Sequence, residues 1–214
     1  MSAAVAAGDF IGVGLTFADN ATNGVITDGL GNTYTRKGQV HETERGLFLE
    51  IWECIVTNAG TPTITAQFDP TPGTTSPAGY ISLVASSFSG SDSGSTVDGA
   101  GAGQMLASPV STSTDAVTTG TFATSVDGVL LYSVATSGVV GGTGFTQENG
   151  ASGGDIQLSD EWAVQTSHSA STEATWTATG TSAKAALVIA ITPAGTGGGG
   201  AAPSYYYLLS QGLI

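Results

Sequence analysis

Gly, Thr, Ala and Ser make up 114 of the 214 residues, while only 10% are charged, 4 Lys and Arg against 17 Asp and Glu, for a formal net charge of -13. A coiled coil or long-helix protein draws about half its residues from Ala, Glu, Lys, Leu and Arg, and charge-driven disorder is low in apolar residues, whereas 40% are hydrophobic here. With Arg36, Lys37, Arg45 and Lys184 as its only basic side chains, the chain cannot build the cationic face that displaces counterions from nucleic acid.

The opening Met1-Ser-Ala-Ala-Val-Ala-Ala-Gly-Asp9 lacks the Lys or Arg that begins a signal peptide and leads straight into a strand pattern, so the expectation is a chain that starts at Met1 and is made in a cytoplasm. Runs rich in Val, Ile, Thr and aromatics, bounded by Gly, Asn, Asp and Pro, predict strands near 9–17, 32–41, 46–57, 61–68, 79–89, 115–124, 128–136, 158–166, 172–178 and 183–192. The Leu and Glu content of 46–57 also suits a helix. Strand length and Gly46 and Gly60 at its ends favour a central strand instead, with Phe48, Glu50, Trp52 and Cys54 on one side. The other side carries Leu47, Leu49, Ile51, Glu53 and Ile55. No apolar run approaches the roughly 20 residues that span a bilayer as a helix, so no membrane partner is expected.

About ten short strands imply an all-β fold, an antiparallel β-sandwich or jelly roll with next to no helix. Thr and Ser are expected mostly on solvent faces of strands, and Gly mostly in turns. Segments 89–103 and 137–155 read as loops at the sheet ends. Residues 1–194 form one domain on this reading. Gly195–Ser204 is then a flexible linker with a root-mean-square reach of about 17 Å, and 205–214 is an apolar tail with three of the six tyrosines and no charge. Such a tail has to dock on something.

Chemistry is sparse. His41 and His168 are each without a second histidine at metal-binding spacing, and Cys54 is the only cysteine, so neither a metal nor a cofactor is expected. Gly150-Ala-Ser-Gly-Gly154 matches a nucleophile elbow by letter, but strand-like sequence follows where a helix is required, which makes Ser152 a loop residue. Asp92, Asp98, Asp155, Asp160 and Glu161 offer oxygen ligands for Ca²⁺ without the EF-hand pattern; solvated loop acids are the expectation. Trp52 is expected in the core, whereas Trp162 and Trp176, set among polar neighbours with Tyr80 elsewhere in the chain, are candidates for stacking on a glycan.

Gly8–Val13, Val25–Thr35, Leu49–Glu53, Gly128–Leu131, Gly144–Thr146 and Ala185–Pro193 together resemble β-sandwich, jelly-roll-like modules of tailed-phage virion proteins and bacterial surface proteins, across nearly all of 5–194. In the most specific piece, Asp28 with Gly31-Asn-Thr-Tyr-Thr35, Gly-Asn suits a tight turn between strands. The closing Tyr205-Tyr-Tyr-Leu-Leu-Ser-Gln-Gly212 is similar to the ends of phage structural proteins. The resemblance implies a structural, non-enzymatic subunit of a virion, made in the host cytoplasm, such as a capsid decoration or head-fibre-like protein. Its partners would be the major capsid protein or other virion proteins, with itself as a homo-oligomer, a trimer for example.

On that reading Tyr205, Tyr206, Tyr207, Leu208, Leu209, Leu213 and Ile214 anchor the subunit, as aromatic and aliphatic side chains do at interfaces. Strand addition to an exposed sheet edge is one route, and folding back on the same domain is another. The alternative function is a carbohydrate-binding or adhesion module of a surface or tail protein, exposed outside the cell and reading glycans through Trp162 and Trp176.

Overall fold

Fourteen strands and no helix occur among the residues that the computed structural model describes: 1, 3–18, 21–42, 46–70, 81–91, 98, 116–136, 139–149, 158–178, 184–195 and 206–208. They are β1 (Phe10–Ala18), β2 (Ala21–Thr27), β3 (Thr35–Glu42), β4 (Leu47–Ile55), β5 (Thr65–Pro70), β6 (Ile81–Ser89) and β7 (Ala116–Thr118). After these come β8 (Val129–Thr136), β9 (Val139–Val140), β10 (Thr146–Asn149), β11 (Leu158–Gln165), β12 (Thr175–Ala178), β13 (Ala186–Ile191) and β14 (Tyr206–Leu208).

Every strand pairing is antiparallel. One sheet runs β14-β6-β1-β4-β3 and a second β10-β11-β8-β13, and their facing sides share one core. Phe10, Leu49, Ile51, Val84 and Phe88 enter it from the first sheet. Leu130, Tyr132, Val134, Leu187, Ile189 and Ile191 enter from the second. The fold is all-β and consistent with a β-sandwich.

Two smaller sheets cover the backs of this pair. The β2-β5 sheet lies over Ile11, Val13, Leu15, Phe17, Trp52 and Cys54, bringing Ile26 with it. The β7-β12-β9 sheet and its flanking loop cover Val129, Leu131, Ala135, Ala186, Val188 and Ala190, using Val117, Phe122 and Trp176. Central strands are therefore buried on both faces, and all of β8 and β13 is buried. This is why Ala185–Ile191 reads as a continuous apolar run without alternation.

Four layers also revise where the small hydroxyl residues go. Thr16, Ser86, Ser87, Ser133, Thr136 and Ser159 are buried on strands instead of facing solvent. Both faces of the central strands are covered, so these residues meet no water, and several take up buried partners: the Ser133 hydroxyl accepts the Trp176 indole N–H at 3.0 Å.

Two strands, β9 and β10, arise inside 137–155, which the sequence presents as loop. They have two and four residues, too few for a periodicity to show, and pair only because β12 and β11 lie alongside. The β2 strand has no counterpart among the predicted strands either; Asn23-Gly24 lies within it. This dipeptide coincides with a register shift between Thr22 and Val25, a bulge within the β2–β5 pair.

The Asp28–Tyr34 turn lies between two strands, β2 and β3. It does not close a hairpin, since β2 pairs with β5 whereas β3 pairs with β4. It crosses from one sheet to the next, held by the Asp28 carboxylate, which accepts the Leu30 and Asn32 N–H groups, the Asn32 amide and the Tyr34 hydroxyl. The Asn32 side-chain oxygen accepts the Thr57 and Asn58 N–H groups, tying the turn to the end of β4. Burial works against the Asp28 charge, but the hydrogen bonds from Asn32, Leu30 and Tyr34 outweigh it and hold the carboxyl below its usual pKa.

Gly12 lets the two main sheets approach. A Cβ built there would lie 2.8 Å from Cζ of the Tyr132 ring and nearer still to its edge. Gly12→Ala is expected to cost about 1–3 kcal/mol, the usual penalty for overpacking a core, read as a lower urea midpoint. Gly29→Ala is the control, because nothing lies within 4 Å of the Cβ position there and its midpoint should stay put. Equal midpoints for the two variants would contradict the close approach.

Candidate functional site

The terminal segment follows the body across a long, Gly-rich connection. Tyr206, Tyr207 and Leu208 form β14, which pairs antiparallel with Ser89, Phe88 and Ser87 at the outer edge of β6. The backbone of three of the seven anchor candidates is thereby placed, on a sheet edge. Tyr205, Leu209, Leu213 and Ile214 lie outside the described residues. The main body ends beside the same spot, where the Ala194 N–H donates to the Gly90 carbonyl at 2.9 Å.

The two glycan candidates do not form a platform. Trp176 is 1% exposed within the outer core, packed with Val117, Ala135, Val139, Ala178 and Ala186. That corrects its assignment as a stacking surface, since neither ring face is open to a sugar. Its polar neighbours in sequence misled because Thr175 and Thr177 lie on the opposite side of a strand whose other side is buried. Trp162 is half-buried between the main sheets, edge-on to Phe88 at 5.7 Å, with its N–H donating to the Glu148 carboxylate at 2.8 Å. The two indoles thus sit in different cores, on opposite faces of the β10-β11-β8-β13 sheet. Trp52 is buried, as expected, and Tyr80 lies outside the described residues.

Several acids are interior. Asp160 and Glu161, expected as solvated loop acids, are fully buried on β11. Strand alternation sends them to opposite faces. Asp160 accepts the Ser86 hydroxyl at 2.6 Å and the Tyr132 hydroxyl at 3.1 Å inside the main core. Glu161 faces the β9 end, where Oε2 accepts the Gly142 N–H at 2.8 Å and Oε1 has no hydrogen-bond partner among the described residues. Burial, partly offset by that N–H and reinforced by the Asp160 charge, pushes the Glu161 pKa up to about 8.

Asp98 is also buried rather than solvated, accepting the N–H and hydroxyl of Ser125 and the N–H of Val126. Asp92, Asp155 and Ser152 lie outside the described residues. No group of three or more His, Cys, Asp or Glu suited to a metal ion occurs among the described residues.

A constellation that sequence reading missed surrounds Glu50 on β4. Its carboxylate is fully buried and accepts Arg36 and Gln39, both at 2.7 Å, and the Trp52 indole N–H at 2.9 Å. The Arg36 guanidinium lies 6.0 Å from the centre of the Trp52 ring. The local signal was Glu50 and Trp52 on one side of a strand, but only pairing with β3 brings Arg36 and Gln39 across.

The histidines are peripheral. His41 stacks on Phe48 with ring centres 4.5 Å apart, and His168 meets Asp127 through Nδ1 at 2.7 Å with both side chains more than 60% exposed. Cys54 lies in the core beneath β2-β5; burial, with the Asp28 charge, pushes its thiol up to about 12, which leaves it in the unreactive protonated form.

The arrangement is thus a body whose described buried carboxylates mostly serve as hydrogen-bond acceptors, plus a terminal strand added at one edge. No family model, curated protein or solved structure matches the chain.

Proposed function

We propose that the chain is a non-enzymatic structural protein of a virion, a capsid decoration or head-fibre-like subunit held to a neighbouring subunit by its C-terminal segment. The observation that carries this reading is β14, a short strand at the end of a Gly-rich connection that pairs by its main chain with the β6 edge of its own chain, the kind of edge a neighbouring subunit would also offer. Strand addition supplies affinity from the backbone and specificity from alternate side chains. Tyr206, Tyr207 and Leu208 are residue types with large contact area. The body supports the same role. It is layered, closed on both faces of its central strands, and rich in Thr, Ser and Gly with little charge. The resemblance to tailed-phage sandwich modules points the same way.

The test is composition of particles released from cells that carry the gene. Purified particles should contain the chain in fixed ratio to the main shell protein, and a variant lacking 205–214 should remain in the unbound fraction. Particles without the chain, or full incorporation of the truncated variant, would overturn the proposal.

A further inference from the structure

The β14–β6 pairing joins a segment to an edge without dictating that both belong to one molecule. The chain leaves the body at Ala194, hydrogen-bonded to Gly90, and returns with Tyr206 opposite Ser89, the residue just before Gly90. Cross-strand partners lie about 5 Å apart, so the connection begins and ends beside the same end of β6.

Antiparallel neighbours are commonly joined by 2–5 residues. Eleven residues, 195–205, intervene here. Fully extended they reach about 36 Å, and as a Gly-rich coil about 18 Å root-mean-square, enough to reach an adjacent copy packed alongside.

The acceptor has room. β6 runs from Ile81 to Ser89, and β14 pairs with only its last three residues. Among the described residues no other strand pairs with Ile81–Ser86 on that side, and Ile81 is 47% exposed. An open edge of this kind is a template for a strand from another chain.

We propose that in the assembled state this strand is exchanged, each copy's β14 adding to the β6 edge of a second copy in the register seen within one chain. The proposal rests on the anchoring role given to the C-terminal segment above and names its acceptor. The same contacts form either way, so concentration decides between them. A connection of this length holds its strand at an effective concentration in the millimolar range. Dilute chains therefore keep β14 at home, whereas copies fixed side by side in a shell exchange it. Exchange of an identical element is a low-cost route to association.

Two single variants of the full chain, Ser89→Cys and Tyr206→Cys, are mixed under oxidising conditions at about 1 mM and about 10 µM. Neither can form the β6–β14 disulfide within one molecule, and buried Cys54 is a poor partner. The expected result is a disulfide heterodimer that is abundant at the higher concentration and falls off at the lower. The double variant, with both cysteines in one chain, reports home pairing by closing within a monomer.

A mixture that stays monomeric at both concentrations while the double variant closes internally would overturn exchange. So would failure of both bonds, since β14 would then not pair with β6 at all. Loss of the heterodimer with the chain still present in particles removes exchange alone. A heterodimer together with particles that lack the chain removes the virion role alone.

Discussion

Glu161→Gln is expected to make the chain more stable above pH 8, by roughly 3 kcal/mol, and to leave stability below pH 4.5 nearly unchanged. The reason is the fully buried carboxyl on β11, with one oxygen on the Gly142 N–H and the other without a hydrogen-bond partner among the described residues. Its pKa is about 8 in the folded chain against an ordinary value of 4.5. Between those values the folded state holds a proton that the unfolded state has released. Stability is therefore full below pH 4.5, falls as pH rises towards 8, and levels off above it.

Each pH unit of that window is worth about 1.4 kcal/mol for one group; relaxation around a buried charge reduces the total. A glutamine has the shape of the protonated acid and can still accept from Gly142. Urea midpoints at intervals from pH 5 to 9 test this, since the parent should lose stability across the window and the variant should not. Parallel curves would show that Glu161 ionises freely. Asp28 and Asp127, whose pKa values are lowered, act at the other end. Their contribution is present above the ordinary carboxylate range and is lost only in stronger acid.

Glu50→Ala is expected to destabilise the chain by about 3 kcal/mol, because removing one member of a buried charged network strands the others. Arg36, with its side chain 40% exposed, can turn to water. The Trp52 indole N–H lies beneath the β2-β5 sheet and loses the only partner it has on β4. For a chain of this size that loss lowers Tm by about 6–12 °C, measurable by circular dichroism. Glu50→Gln, which keeps an acceptor near Trp52 but weakens the Arg36 pair, should fall between parent and alanine. A Tm within 2 °C of the parent for the alanine variant, inside the roughly 0.5 kcal/mol of an ordinary surface change, would show that the network contributes little.

Gly12 illustrates what a single sequence hides. In the β1 run, Ile11, Val13, Leu15 and Phe17 announce one apolar face, and the opposite positions Gly12 and Gly14 look merely permissive. They are the positions nearest the second sheet, where Tyr132 and Val134 fill the space a side chain would take. Likewise Asp160 and Glu161 look hydrophilic by type, and only the layers over both faces of β11 make them interior. Trp176 shows the same effect in reverse, its polar sequence neighbours concealing a buried ring.

The sequence by itself determined the class of fold and most strand positions, because pleat alternation, β-branched residues and turn-formers act within a few residues of one another. Ten predicted strands have a counterpart at the same place in the chain. The 205–214 stretch is marked in sequence by its lack of charge and by the Gly run before it. Tertiary structure decided the rest: the two covering sheets, the pairing of β9 and β10, the partners of Glu50, and the edge that receives β14. Each of these depends on which distant strand lies alongside. Main-chain hydrogen bonds carry no residue identity, so pairing is chosen by the summed packing of whole layers, which no local window of residues contains.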